Sequence, residues 1–337
     1  MKSLTLFSNK GGVGKTTLTF HLAHMFARLG KRTLVLDYDP QCNLSANLLD
    51  EETLFDLWED PSRNCSNVAG CLEPVRVGNG EVRAPEPIEV APDLWLLAGE
   101  LSLGRFEQVL AEEWPKTQAT SNERALRVTT SLDLLSNLAA ERVGADYVFI
   151  DVGPSLGALN RAALLACDAV VLPLAPDLFS LQGMRNLGPT LREWREDWSR
   201  VRWDRMRGRP QADLPSHTFE PIGYIVQQHL ARADRPTEGY AKWARAIPLE
   251  FQAEVLRKDV AWVMAGDDGK VDFARDPYCL ATVRHFASLV PLAQLARKPM
   301  FDLKQADGIG GVQFNAVALC RRDFEALAKK LIQRLEA

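Results

Sequence analysis

Between the apolar run Ser3-Leu4-Thr5-Leu6-Phe7 and a helical-period segment from Lys15 to Leu29 closed by Gly30, the chain reads Lys10-Gly11-Gly12-Val13-Gly14-Lys15-Thr16-Thr17. Strand, glycine-rich turn and helix in that order leave few folds open, because the turn must set a helix N-terminus over the end of a strand. Such a turn suits an anion: glycines let successive N–H groups converge, the helix dipole adds positive field, and Lys15 and the Thr16 hydroxyl match phosphate and magnesium. The ending Gly14-Lys15-Thr16 fits the pattern G-x-x-x-x-G-K-[ST], but Asn9 stands where the first glycine belongs, and Lys10 stands where no lysine is required.

Further apolar runs fall at 33–37, 94–98, 147–151, 169–174 and 222–227, with helical periodicity between them. This alternation predicts an α/β fold, a mainly parallel twisted sheet with helices on both faces, and a single domain over 1–337. Two of the runs end in acid, Thr33–Leu36 leading into Asp37-Tyr38-Asp39-Pro40-Gln41 and Tyr147–Ile150 into Asp151. Ligands of open α/β sheets sit at that edge, and nucleotide hydrolysis needs a hydroxyl, a magnesium carboxylate and a group that orients water. Thr16, Asp151 and Asp39 supply such a set. Asp37 has a second reading as the cap of a following turn.

Taken together, Lys10–Thr17, Asp37–Gln41 and Asp151-Val152-Gly153-Pro154-Ser155-Leu156-Gly157 resemble the ParA/MinD group of deviant Walker A P-loop ATPases, most of all its ParA (Soj) branch. Asp168–Leu174 resembles the next family strand, Leu181-Gln182-Gly183 the helix start after it, and Val290-Pro291 the loop beside the base. The resemblance implies ATP and Mg2+ as ligands and a homodimer closed by ATP, with Lys10 crossing to the partner's nucleotide. It implies that Gly11, Gly12, Val13, Gly14 and Lys15 cradle phosphate, that Thr16 holds magnesium and Thr17 the α-phosphate, and that Asp39 places the attacking water. Asp37 and Asp151 would orient the metal's water shell, and Gln227 and Pro291 would border the base. Gln227 is also readable as a solvated strand end. Gly153 departs from the family's proline or alanine, and Gln227-Gln228-His229 replaces a more usual asparagine. The implied partners are nonspecific DNA and a ParB-like protein that stimulates slow hydrolysis, in DNA partition or cargo positioning. A MinD-like or accessory-system switch acting on a protein or membrane is the alternative.

The balance of 40 basic against 44 acidic residues excludes a wholly basic nucleic-acid coat and leaves room for a local patch. No run approaches the ~20 apolar residues of a membrane span and no signal peptide precedes the first strand, so the expected location is cytoplasmic, at the nucleoid when DNA is held. Six cysteines without CxxC spacing are expected to be reduced and mostly buried; Cys65 and Cys71 are the pair with room for a bond or metal. The lack of a cysteine companion for Cys167 argues against an iron–sulfur electron carrier built on a similar loop.

Two segments break the rhythm and are expected to be insertions. Residues 58–92, rich in proline, predict a long loop or hairpin. In 188–218, Trp194, Trp198 and Trp203 interleave with arginines from Arg192 to Arg209, which suits either a nucleic-acid surface or a helix pinned to the core by its tryptophans. At the C-terminus Phe324, Leu327, Ala328, Leu331, Ile332 and Leu335 mark an amphipathic helix with basic flanks, expected to pack on the body and leave a candidate DNA patch.

Overall fold

The computed structural model describes residues 1–118, 122–208, 214–216, 219–228, 238–258 and 273–337. Among these residues eight strands form one sheet: β1 (Lys2–Leu6), β2 (Thr33–Asp37), β3 (Ile88–Ala91), β4 (Leu94–Leu97), β5 (Tyr147–Asp151), β6 (Ala169–Leu174), β7 (Glu220–Gln228) and β8 (Cys279–Arg284). Their order is β3-β4-β2-β5-β1-β6-β7-β8. The helices around it are α1 (Lys15–Arg28), α2 (Asn43–Leu48), α3 (Glu51–Glu59), α4 (Val68–Val77), α5 (Leu103–Glu113), α6 (Glu123–Val143), α7 (Ala158–Leu165), α8 (Leu178–Gly208), α9 (Glu238–Glu250), α10 (Val290–Ala296) and α11 (Gln313–Glu336). The mainly parallel α/β class expected from the alternation of runs is the class observed. Every expected strand is present within a residue or two of its expected bounds, and β3 and β8 are additional.

The chain divides into two compact units. One comprises Met1–Leu6, Phe26–Val170 and Glu193–Glu220. Its strands β1, β5, β2 and β4 run parallel, while β3 turns back antiparallel on β4. Leu34, Val35, Leu36, Val148, Phe149 and Ile150 are wholly buried, as continuous apolar strands covered on both faces must be. The segment 58–92 corrects the expectation of a long loop: it holds the helix α4, and only its end, β3, forms a hairpin with β4. Proline misled the reading, since Pro74 lies inside α4. Lacking an N–H, Pro74 cannot bond the Gly70 carbonyl, and Arg83 Nη1 donates to that oxygen instead, at 3.0 Å.

Tryptophans of 188–218 serve this unit's packing. Trp194 and Trp198 are buried on α8, Trp198 Nε1 donates to the Pro215 carbonyl at 3.2 Å, and the Arg161 guanidinium lies 3.8 Å from the centroid of Trp114. Desolvation in that aromatic setting lowers the pKa of Arg161 to about 10. Trp203 is exposed. Arg195 pairs with Glu220, Arg200 with Asp197, and Arg205 with Glu123, so these three cations of the segment are neutralised. Arg209 lies outside the described residues.

The second unit comprises Phe7–Met25, Val171–Arg192 and Pro221–Ala337. Here β7 and β8 run parallel. α11 turns Phe324, Leu327, Ala328, Leu331 and Leu335 into the core, as its period predicts. Phe324 stacks on the imidazole of His21 with ring centroids 4.9 Å apart. His21 Nε2 accepts the Met300 N–H at 3.0 Å, so its Nδ1 carries the proton and donates to the Thr17 carbonyl at 2.7 Å. Burial lowers its pKa to about 4, against a smaller upward pull from Thr17. The segment from Val290 is helical rather than a loop, with Pro291 in the first turn of α10, where its missing N–H costs no helical bond.

All six cysteines are free and all but Cys65 are buried. Among the described residues no cluster of three or more His, Cys, Asp or Glu side chains suits a metal. No helix there is long and apolar enough to cross a membrane.

Candidate functional site

In the second unit the loop is bent by Gly12 and Gly14, both at φ 72°, a left-handed conformation that glycine adopts without steric cost. The bend brings Lys15 Nζ, largely buried, to within 3.4 Å of the Lys10 carbonyl, so this lysine is folded over its own loop. The Gly14 carbonyl accepts the Leu18 N–H at 2.8 Å and starts α1. Gly14 also answers to space: a Cβ there would lie 2.5 Å from Gln227 Nε2 at the end of β7. The structure thus brings Gln227 against the phosphate loop. His229 lies outside the described residues.

Asn9 and Lys10, the two departures from the loop pattern, both meet the start of α8. A Cβ at Gly183 would lie 2.8 Å from Asn9 Oδ1, so glycine lets the asparagine pack against the helix. Lys10 Nζ is ion-paired to Asp177 and lies 5.9 Å from the ring centroid of Phe179. Asp177 also accepts the Ser180 N–H at 2.8 Å, capping the first turn of α8. Burial alone would raise the Asp177 carboxyl, but the Lys10 ammonium and the Ser180 amide hold it below its usual range. Leu178 and Phe179 beside it are 50% and 72% exposed, an apolar pair that the protomer leaves open.

In the first unit, the parallel register of β2 on β5 sets Asp37 opposite Asp151, so both carboxylates leave the same edge of neighbouring strands. Asp37 is fully buried. Its Oδ2 accepts the Ser45 N–H at 2.9 Å and the Ser45 hydroxyl at 2.7 Å, and its Oδ1 accepts the Asp39 N–H at 3.2 Å. Burial raises its pKa to about 6, Ser45 draws it down, and the nearby charge of Asp39 adds to the rise. Both readings of Asp37 therefore have a structural basis: it ties down α2 through Ser45, and it is a buried anion that a cation would stabilise.

Asp39 Oδ1 accepts the Gln41 N–H at 3.0 Å. A Cβ on Gly153 would stand 3.2 Å from that oxygen, so a larger residue two positions after Asp151 would crowd Asp39. Asn160 of α7 clamps the same segment, its Nδ2 donating to the Gly153 and Ser155 carbonyls at 2.9 and 2.7 Å. The Asp37 and Asp151 carboxylates are hard oxygen donors of the kind magnesium takes. Ser45, Asn160 and Asp177 escape sequence reasoning, since single residues outside any spaced motif carry no signal.

The AAA domain family matches residues 1–201. Over 280 residues the chain is 31% identical to the chromosome-partitioning ATPase Soj of Thermus thermophilus, covering 79% of this chain and 96% of that protein. The chain belongs to the ParA/MinD family of ATPases. Similarity within this family extends to the sporulation initiation inhibitor protein Soj of Bacillus subtilis, 30% identical over 198 residues, where the match spans 57% of this chain and 65% of the relative. With the Myxococcus xanthus chromosome partitioning protein ParA the match spans 57% of the relative's length. Among solved structures, a Corynebacterium diphtheriae protein superposes with a TM-score of 0.71 at 22% identity, with 99% of both chains covered, and shares this fold.

Proposed function

We propose that this ParA/MinD-family chain, acting over 1–337 as one ATPase module with additions at 58–92 and 188–218, binds Mg2+–ATP, closes as a homodimer around it, and reopens after slow hydrolysis. The observation that carries the reading is the position of Lys10. A lysine serving its own loop would fold inward as Lys15 does; Lys10 instead rests on Asp177 beside the exposed Leu178 and Phe179. From there it is suited to cross to a second protomer and offset charge in phosphoryl transfer, as an arginine finger does.

In this reading Gly11 to Thr17 hold the phosphates, Gln227 and Pro291 border the base, and Asp39 orients the attacking water. Magnesium, held by Thr16 with Asp37 and Asp151 through its water shell, would neutralise phosphate charge. Asn160 and Gly153 keep the segment after Asp151 close to Asp39.

The ATP-bound dimer would hold nonspecific DNA in the cytoplasm, at the nucleoid, and a ParB-like protein would stimulate its release. The cations of α11 offer this less than their number suggests. Lys330 and Arg334 donate to the Cys279 and Pro277 carbonyls, Lys329 pairs with Glu325, and Arg321 bonds the Phe301 carbonyl. A membrane role, as in the MinD-like alternative, would need the apolar face of α11, which is buried in the body.

Light scattering with ATP and with ADP tests the cycle. Lys15→Gln should not bind nucleotide, Lys10→Ala should remain monomeric with ATP, and Asp39→Ala should stay dimeric. A Lys10→Ala protein that dimerises normally contradicts the assignment.

A further inference from the structure

The α3 helix and the start of α5 frame an open cavity of about 480 Å³, lined among others by Trp58, Glu59, Glu100, Leu101 and Arg105. Phe55 lies one helical turn from Trp58 and Glu59 on the same face of α3, and Phe55 and Leu101 are each 62% exposed. Aromatic and aliphatic side chains held in water beside a concavity have the composition of a binding anchor site. Carboxylates outnumber cations around them, with Arg105 in the cavity wall beside Glu59 and Glu100. Glu51, Glu52, Asp56 and Glu59 are the charged residues of α3, which carries no lysine or arginine, and Asp60 and Glu100 extend the acidic rim.

We propose that this groove docks a basic amphipathic helix of a protein partner, its apolar stripe on Phe55, Trp58 and Leu101 and its cations toward the α3 carboxylates. Charge complementarity selects this occupant. An acidic or neutral apolar segment would bury the rim without compensation, and a nucleic acid would meet like charge. Nothing in the docking itself depends on the nucleotide cycle.

The floor of the groove is wired to the carboxylate cluster. Trp58 Nε1 donates to the Gly99 carbonyl at 3.0 Å, the Gly99 N–H donates to Ser45 Oγ at 2.8 Å, and the Ser45 hydroxyl donates to Asp37 Oδ2 at 2.7 Å. Gly99 also packs closely on Asp37, since a Cβ there would lie 2.9 Å from Asp37 Cγ. A segment seated on Trp58 is therefore felt at Asp37, which gives a partner a route to the site of hydrolysis on the proposed reading.

The test uses the full chain without nucleotide and a fluorescent Leu/Lys amphipathic peptide of about 14 residues, roughly four helical turns. Controls are the same composition scrambled to destroy the stripe and a Leu/Glu version. Fluorescence anisotropy should show the amphipathic Lys peptide binding at least tenfold more tightly than either control. Phe55→Ala should weaken it about tenfold, as loss of an anchor does. The double change Asp56→Lys with Glu59→Lys should weaken it several-fold at low salt and less at high salt. These side chains are exposed, so the variants should keep the wild-type circular dichroism spectrum. Hydrogen exchange should slow in 43–60 and 99–108 when the peptide binds, and Trp58→Phe should keep the binding while losing the protection at Ser45. Equal binding of the scrambled peptide, indifference to Phe55→Ala, or protection confined to other segments would overturn the docking site. Because ATP is absent, any of these outcomes leaves the nucleotide cycle to be judged by its own experiment.

Discussion

Replacing Asp177 by asparagine isolates the resting contact of Lys10. The substitution removes the charge that holds the ammonium but keeps a side-chain oxygen for the Ser180 N–H, so the cap of α8 survives. The Lys10 and Asp177 side chains are 27% and 37% exposed, and with that solvent screening the pair contributes about 0.5 to 1 kcal/mol. If each protomer must give up this contact before Lys10 crosses, a dimer breaks it twice. The variant should then dimerise more tightly by roughly 1 to 2 kcal/mol, on the order of 5- to 30-fold in the dimer dissociation constant. Sedimentation velocity over a protein dilution series with saturating ATP reads this directly, and the ADP-bound protein should stay monomeric. An Asp177→Asn dimer no tighter than wild type would refute the view that Asp177 restrains the lysine. A weaker one would mean that Asp177 belongs to the closed state.

Gly153→Ala should force its new Cβ against Asp39 Oδ1; ATP turnover is expected to fall about tenfold with nucleotide affinity within twofold, and unchanged turnover would show that Asp39 has slack. Gly188→Ala would drive a Cβ into the Glu254 carbonyl and should lower stability by about 1 to 3 kcal/mol in urea unfolding; a neutral result would mean that α8 shifts freely there. Acid should also destabilise the fold. His21 and His24 are held near 4 by burial, so their contribution is whole above about 6.5 and is lost as pH falls towards 4, about 3 kcal/mol each. Asp37, raised to about 6, gains a proton in the folded state over the same window and offsets about 3 kcal/mol. The net loss of about 3 kcal/mol should appear as a lower urea midpoint at pH 4.5 than at pH 7, and an unchanged midpoint would exclude neutral buried imidazoles.

Legibility in the sequence followed distance along the chain. The loop, its strand and its helix are contiguous, so spacing alone disclosed them, and Asp37, Asp39 and Asp151 were marked by the apolar runs they terminate. β3 escaped as a short, partly exposed edge strand, and α4 escaped because Pro74 argues locally against a helix that Arg83 repairs from outside. The restraints on the site were hidden for the same reason. Lys10 and Asp177 are 167 positions apart, and nothing in either neighbourhood names the other. In the sequence Gly153 is a departure from the family pattern and Gly183 part of a helix start, whereas the fold uses each as clearance for a polar side chain arriving from elsewhere.

Gln227 has a consequence for selectivity. Its amide lies against Gly14, so on the proposed reading a nucleotide held by the loop would meet a group with both a hydrogen-bond donor and an acceptor for a heterocycle edge. Discrimination among purines would then depend on which partner the amide prefers, so that changing this one side chain could retune base choice while the phosphate cradle stays as it is.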